Sequence, residues 1–273
     1  MASPTPRSER AEPSGSAARW GPLWGARPDD WAYSEEQQVP TYEAALGRVE
    51  VGPGQPVLDI GCGVGVFLGL VADRGAQPFG IDASESLVAA ARERLPDAEL
   101  RVGDMESLPY EDDSFELVTG FNSFFFATDM VVALREAGRV AKPGAPVVIQ
   151  VWGPHERNDL EAVKVILRPY FPPRPAGAPP EPDYSRPGVL EELATRAGLT
   201  PEASFDTSWA FEFDDDESLG RAMLAPAGIA TLVGPEREPE VKMAIVEGLA
   251  RYRTPDGVYR LQNEYHYVLA RAR

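Results

Sequence analysis

The chain has 273 residues and a formal net charge of −17, with two histidines and one cysteine. That length buries one sizeable core and leaves material for a cap. The charge repels nucleic acid, since no cluster of lysine and arginine opposes it. Scarce histidine and cysteine argue against a metal site such as zinc, and no apolar run nears the roughly 20 residues of a membrane span.

Residues 1–19 lack the apolar core of a secretory signal and are expected to form a disordered tail. Residues 20–50 bring Trp20, Trp24 and Trp31, then Tyr42, Ala45, Leu46 and Val49 at helical spacing, an aromatic arm followed by a helix. Within 51–153, short apolar runs alternate with amphipathic segments. PVLDI (56–60) reads as a buried strand, and residues 64–75 as a helix that Gly75 ends in a left-handed cap. A strand at 78–82 is weakened by Pro78 and Gly80. Ser84 caps a helix carrying Leu87, Val88, Ala91 and Leu95, which Pro96 stops. Strands at 99–102 and 115–120, a helix from Met130 to Ala141 capped by Asp129, and a strand at 146–152 complete the segment. This rhythm implies an α/β fold, a doubly wound, mostly parallel sheet with helices on both faces.

From 154 to 257 the rhythm changes. Residues 169–187 are proline-rich, as in a long loop or lid. A short helix has Pro187 near its start and Gly198 at its end. A strand near Phe205–Phe213 ends in Asp214, Asp215 and Asp216, read as a solvated helix start. Residues 237–253 place Val241, Ile245, Leu249 and Tyr252 on one helical face. Residues 258–273 alternate as a final strand entered through the turn TPDG. The sheet is thus expected to have seven strands, the last antiparallel, with a helical lid inserted between the last two.

The chemistry is concentrated in VLDIGCGVG (57–65), a strand-to-helix loop with Gly61, Gly63 and Gly65. Such a loop lets a ligand approach the backbone and presents the free N–H groups of a helix start. The dinucleotide fingerprint fails, because Val66 and Leu68 stand where its last glycine belongs. Asp59, just before the loop, would repel a pyrophosphate but suits an ammonium group. Asp82 ends the second strand, where a carboxylate accepts from both ribose hydroxyls. Asp104, in GDME (103–106), is placed to accept from an adenine amino group. An amino acid, a ribose and an adenine together make S-adenosylmethionine.

The segments VLDIGCGVG, GIDAS (80–84), VGDMESLPYEDDSFELVTGFNSF (102–124) and LREAGRVAKPGAPVVIQVWG (134–153) resemble, in this order, the class I methyltransferases. The pattern is that of the bacterial small-molecule group related to the ubiquinone- and menaquinone-biosynthesis enzymes, and it covers roughly residues 40–153. WGARPDDWA (24–32) is similar to an N-terminal element that folds over the cofactor in some bacterial members, which would make Trp24 and Trp31 its cover. The resemblance implies that Gly61, Cys62 and Gly63, with Gly65 in the same loop, line the methionine part. Asp82 and Ala83, followed by Ser84 and Leu87, would hold the ribose. Gly103, Asp104, Met105 and Glu106 would hold the adenine, and Phe121 and Asn122 would lie beside the reacting methyl. The implied activity is methyl transfer to oxygen, nitrogen or carbon of a small molecule, leaving S-adenosylhomocysteine. The expected setting is a cytoplasmic monomer or homodimer with neither a membrane nor a nucleic-acid partner; the lone Cys62 fits a reducing compartment.

In-line displacement at an activated carbon needs alignment more than a catalytic triad, and a base only where the nucleophile must lose a proton. His266, on the last strand, and His155, just past the fifth, are the base candidates; the alternatives are a satisfied core histidine and a surface residue. Cys62 reads as a small packing residue. Phe124, Phe125 and Phe126 line a substrate pocket or pack in the core. A non-methylating enzyme that uses the bound sulfonium, and a regulatory cofactor-binding module, fit the same residues.

Overall fold

The run Val57, Leu58, Asp59 and Ile60 is buried along its length, as a strand covered on both faces requires. The computed structural model, which describes residues 15–173, 177 and 182–273, places this strand in the interior of the sheet. Helices α1 (Gly15–Trp24), α2 (Pro28–Glu36) and α3 (Val39–Leu46) precede it. Then follow β1 (Pro56–Ile60), α4 (Val66–Asp73), β2 (Gln77–Asp82), α5 (Glu85–Arg94), β3 (Glu99–Val102) and β4 (Leu117–Phe121). Next come α6 (Met130–Val140), β5 (Pro146–Trp152), α7 (Glu161–Leu167), α8 (Val189–Ala197) and β6 (Thr200–Phe213). The chain closes with α9 (Asp216–Leu224), α10 (Ile229–Val233), α11 (Glu238–Leu249) and β7 (Tyr259–Arg271).

The seven strands lie in the order β3-β2-β1-β4-β5-β7-β6. Neighbours from β3 through β5 pair in parallel, and β7 runs antiparallel to both β5 and β6. Because the order reverses between β1 and β4, their carboxyl ends open a crevice, the usual ligand position in such sheets.

Local chemistry sets the helix ends. Ser84 caps α5 by accepting from Leu87 N at 3.2 Å, and Asp129 caps α6 by accepting from Val131 N at 2.9 Å. Asp215 and Ser218 form a reciprocal box at the start of α9, so one member of the acidic run is a cap. One face of the sheet packs Val147, Ile149 and Val268 against Leu134, Ala137 and Leu190 of α6 and α8. The other packs Val57, Leu117 and Val148 with Tyr42, Phe67 and Leu87. The lid has its own core, in which Val163, Leu167, Leu219, Val241 and Ile245 meet Phe213 and Leu261.

The strand reading and the inserted lid match the structure, since α9, α10 and α11 lie between β6 and β7. The tail does not extend to residue 19: Gly15 opens α1, and residues 1–14 lie outside the described residues. Ser16 and Ala17 are buried against the Asp104 carboxylate, contacts a local reading of a polar tail cannot supply. Strand β6 starts at Thr200, earlier than its apolar pattern suggests, and passes Pro201 with an irregularity before Ala203. An edge strand tolerates a proline there. Of the proline-rich stretch, residues 174–176 and 178–181 lie outside the described residues.

Candidate active site

The glycine loop leaves β1 at the crevice, with Gly61 at φ +79° and Gly63 at φ +54°. A Cβ on Gly61 would strike the Ser123 side chain, and one on Gly63 the Glu35 carboxylate. Gly61 N and Cys62 N donate to Ile81 O at 2.7 and 3.1 Å, and Gly63 N donates to Asp82 Oδ2 at 3.0 Å. Val64 N donates to Glu35 Oε2 at 2.9 Å and Val66 N to Glu35 Oε1 at 3.1 Å. Of the N–H groups expected to be free for a ligand, Val64 N in the loop and Val66 N at the helix start are therefore occupied by a carboxylate from α2. Sequence reasoning missed Glu35, whose one signal is an acid a helical turn after Trp31.

Burial dominates the electrostatics. It pushes Asp59 up to about 8, although Thr119 Oγ1 donates to Asp59 Oδ1 at 2.7 Å. Burial likewise pushes Glu35 up to about 7, against the opposing pull of Val64 N, Val66 N and Trp31 Nε1. Asp82 is also raised by burial, with Ser84 N and Gly63 N countering. The buried Cys62 thiol is pushed well up, which suits packing rather than nucleophilic attack.

One cavity of about 400 Å³ lies between the crevice, the N-terminal arm and the lid, within the usual range for ligand sites. Its wall includes Asp59, Gly61, Cys62, Gly63, Asp82 and Ala83, and further along Leu87, Gly103, Met105, Phe121 and Asn122. Trp24 and Trp31 cover it, packed edge to face with centroids 4.7 Å apart, and Trp24 meets Phe126 at 5.4 Å. The phenylalanine run divides: Phe124 is buried in the core, while Phe125 and Phe126 line the cavity. Beneath the lid the same cavity is walled by Leu160, Val163, Leu167, Phe211, Met223 and Ile229.

Four expected contacts fall elsewhere. Gly65 and Ser84 act as helix caps behind the wall. Asp104 accepts from Ser16 Oγ at 3.2 Å, Ala17 N at 3.3 Å and Glu106 N at 2.9 Å, so α1 seats on it and its neighbours Gly103 and Met105 face the cavity instead. Glu106 accepts from Thr128 N and Asp129 N at 2.9 and 3.0 Å. Neither histidine lines the cavity. His266 Nδ1 pairs with Asp206 Oδ1 at 2.7 Å, and alternation along β7 puts its ring on the opposite face from Tyr265 and Tyr267. His155 is exposed, its Nδ1 3.1 Å from Glu161 Oε1.

Asn122 is the unusual wall residue. It has φ +50°, and neither its Oδ1 nor its Nδ2 has a partner although both are buried. Such atoms in a cavity wall mark a ligand contact. With the buried carboxylates and the glycine cradle, they fit a ligand bearing an ammonium, a ribose and an apolar-faced base.

Residues 58–149 match a family described as a methyltransferase domain. Demethylmenaquinone methyltransferase of Renibacterium salmoninarum is 30% identical over 139 residues, 45% of this chain and 59% of that enzyme. The chain thus contains a methyltransferase domain. An uncharacterized protein of Mycobacterium tuberculosis is 28% identical over 254 residues, 88% of each chain. The methyltransferase spans only 39% of the length of a Streptomyces fradiae transposon-encoded protein to which it is 35% identical over 137 residues. Its fold is similar to that of the [4+2]-cyclase SpnF, with a TM-score of 0.62, 20% identity and coverage of 96% and 98% of the two chains. No helix among the described residues is long and apolar enough to cross a membrane.

Proposed function

We propose that this methyltransferase transfers the methyl group of S-adenosylmethionine to a small, largely apolar organic molecule held beneath the lid. The observation that carries the reading is a continuous cavity joining the carboxylate-lined crevice to the apolar space under α7, α9 and α10. When bound, the cofactor supplies a methyl group already activated on a sulfonium. The chain's residues bind, orient and exclude water: Asp59 faces the ammonium, Asp82 the ribose, and Gly103 with Met105 the adenine. Asn122 offers its unpartnered atoms to the reacting region. Trp24 and Trp31 close the roof. Alignment of this kind contributes about 7–11 kcal/mol to such reactions, so the reading gives neither His266 nor His155 a part in the chemistry.

A demethylmenaquinone methyltransferase among the relatives supports an acceptor with an apolar body. The net charge of −17 supports a partner other than nucleic acid, and the buried thiol of Cys62 supports a reducing cytoplasm, where we place the protein as a monomer or homodimer. Isothermal titration with S-adenosylmethionine and S-adenosylhomocysteine, then a screen of apolar acceptors with labelled methyl donor, tests the reading. Micromolar binding of both and label transfer to an acceptor are expected. Absence of binding would undo the reading, and binding without transfer to any acceptor would favour the non-methylating alternative.

A further inference from the structure

Glu35 belongs to α2, yet its carboxylate sits inside the glycine loop and lines the cavity. Besides Val64 N and Val66 N, it accepts from Trp31 Nε1 at 2.7 Å, and only 3% of the residue is exposed. Asp59 and Asp82 lie on the same stretch of wall. Among the described residues, Lys164 is the single cation lining the cavity, and Glu161 already pairs with it at 2.6 Å. Carboxylates enclosed without a protein cation are costly unless a ligand brings positive charge. An anionic ligand group would meet repulsion there and would find the loop's amides taken.

The two forms of the cofactor differ in charge. With its carboxylate ionised, S-adenosylmethionine carries an ammonium and a sulfonium and is a net cation. Loss of the methyl group turns the sulfonium into a neutral thioether, and S-adenosylhomocysteine has no net charge. Unlike charges attract across several ångströms in an enclosed site far more than they do in water. A buried carboxylate that already has its hydrogen bonds therefore separates the two forms mainly through its charge.

Resting on the reading of the cavity as a methyl-transfer site, we propose that Glu35 is a cofactor-reading residue supplied by the N-terminal arm, whose negative charge favours the sulfonium cofactor over its thioether product. It lies outside the glycine loop and the strands that carry Asp59 and Asp82, so the arm adds charge selectivity to a pocket the core has already shaped. Release of product follows from the same difference, because the group that leaves takes the attraction with it.

The test is isothermal titration of both ligands into the wild type and the Glu35→Gln variant, with thermal melts to confirm folding. Glutamine keeps the length and an acceptor oxygen but not the charge. The expected result is a loss of about tenfold or more in S-adenosylmethionine affinity with less than about threefold change for S-adenosylhomocysteine. Glu35→Met, uncharged and of similar length, should move the ratio the same way and serves if the glutamine variant does not fold. Equal weakening of both ligands would reduce Glu35 to a strap that holds the loop, and unchanged affinities would also overturn the proposal. Those failures leave the wild type binding both ligands. Failure of the cofactor reading would leave it binding neither, and failure of the transfer reading alone would leave it binding both without methylating any acceptor.

Discussion

Asp82, at the end of β2, is tied to Gly63 in the loop after β1: Gly63 N donates to Asp82 Oδ2 at 3.0 Å, while Asp82 Oδ1 accepts from Ser84 N at 2.8 Å. One carboxylate thus fixes the end of β2 to the glycine loop and to the start of α5. Hydrogen bonds to charged groups contribute about 1.5–3 kcal/mol each. Asp82→Ala is expected to weaken S-adenosylmethionine binding by about 100-fold, measured by titration, as the ribose loses its acceptor and the loop its tether. Unchanged affinity would sink the ribose assignment.

Gly63 has two reasons to be glycine, its φ of +54° and the Glu35 carboxylate in the space a Cβ would fill. Gly63→Ala should cost about 1–3 kcal/mol in urea unfolding. In a Glu35→Ala background the steric part disappears and only the backbone strain remains. A double-mutant cycle should therefore show coupling above about 0.5 kcal/mol. Strict additivity would mean that Glu35 yields without cost.

The pH dependence follows from Asp59 near 8 and Glu35 near 7, both held up first by burial. The unfolded chain releases these protons at about pH 4, whereas the folded protein keeps them to about 7 and 8. Stability contributed by these groups is thus highest below that window and falls as pH rises through it. A cationic ligand favours the ionised forms, so binding should release protons and strengthen between pH 6 and 8, by up to about tenfold per unit for each proton released. Asp82, also raised by burial, can add to the release; Cys62 and Tyr42, pushed up in the same enclosure, stay protonated. Titrations in buffers of different ionisation enthalpy count the protons. Flat affinity with no proton release would show that neither carboxylate ionises on binding.

Asn122 holds strain that the fold does not need. Its φ of +50° and two unpartnered polar atoms are each unfavourable in the free protein. Asn122→Gly should leave stability equal or raise it by about 1 kcal/mol. Methyl transfer should fall at least about tenfold, the pattern of a residue kept for function at a cost in stability. A variant with full turnover would place the reacting region elsewhere in the cavity.

Much of the core was legible because its signals are local. Val57, Leu58 and Ile60 mark a buried strand by composition alone, and Ser84, Asp129 and Gly75 mark helix ends through their own backbone chemistry. The cavity-wall positions of Gly61, Gly63, Asp59, Asp82, Phe121 and Asn122 were readable for a related reason: each stands at the end of an element whose direction the alternation of strands and helices already fixes. Trp24 and Trp31 stood out by size, and the structure sets both in the cavity roof.

What the sequence did not disclose depends on contacts between distant segments. Glu35 meets Val64 and Val66 only because the arm folds back over the crevice, and nothing in their spacing announces it. Asp104 lost its direct place in the cavity because Ser16 and Ala17, read as tail, seat on its carboxylate. The histidines were attractive as titratable residues, His266 on the last strand and His155 just past the fifth, yet the alternation of β7 and the exposure of His155 set both away from the cavity. Arm and lid are also joined to each other, Arg27 to Glu238 and Arg221 Nε to Asp30 Oδ1 at 2.6 Å, pairs 211 and 191 residues apart in the chain. Periodicity, caps and glycine spacing are short-range physics, so the sequence by itself determined the sheet, the helices between its parallel strands and the glycine loop. The electrostatics of the cavity and the closing of its roof come from burial and from long-range pairing, and only the tertiary structure decided those.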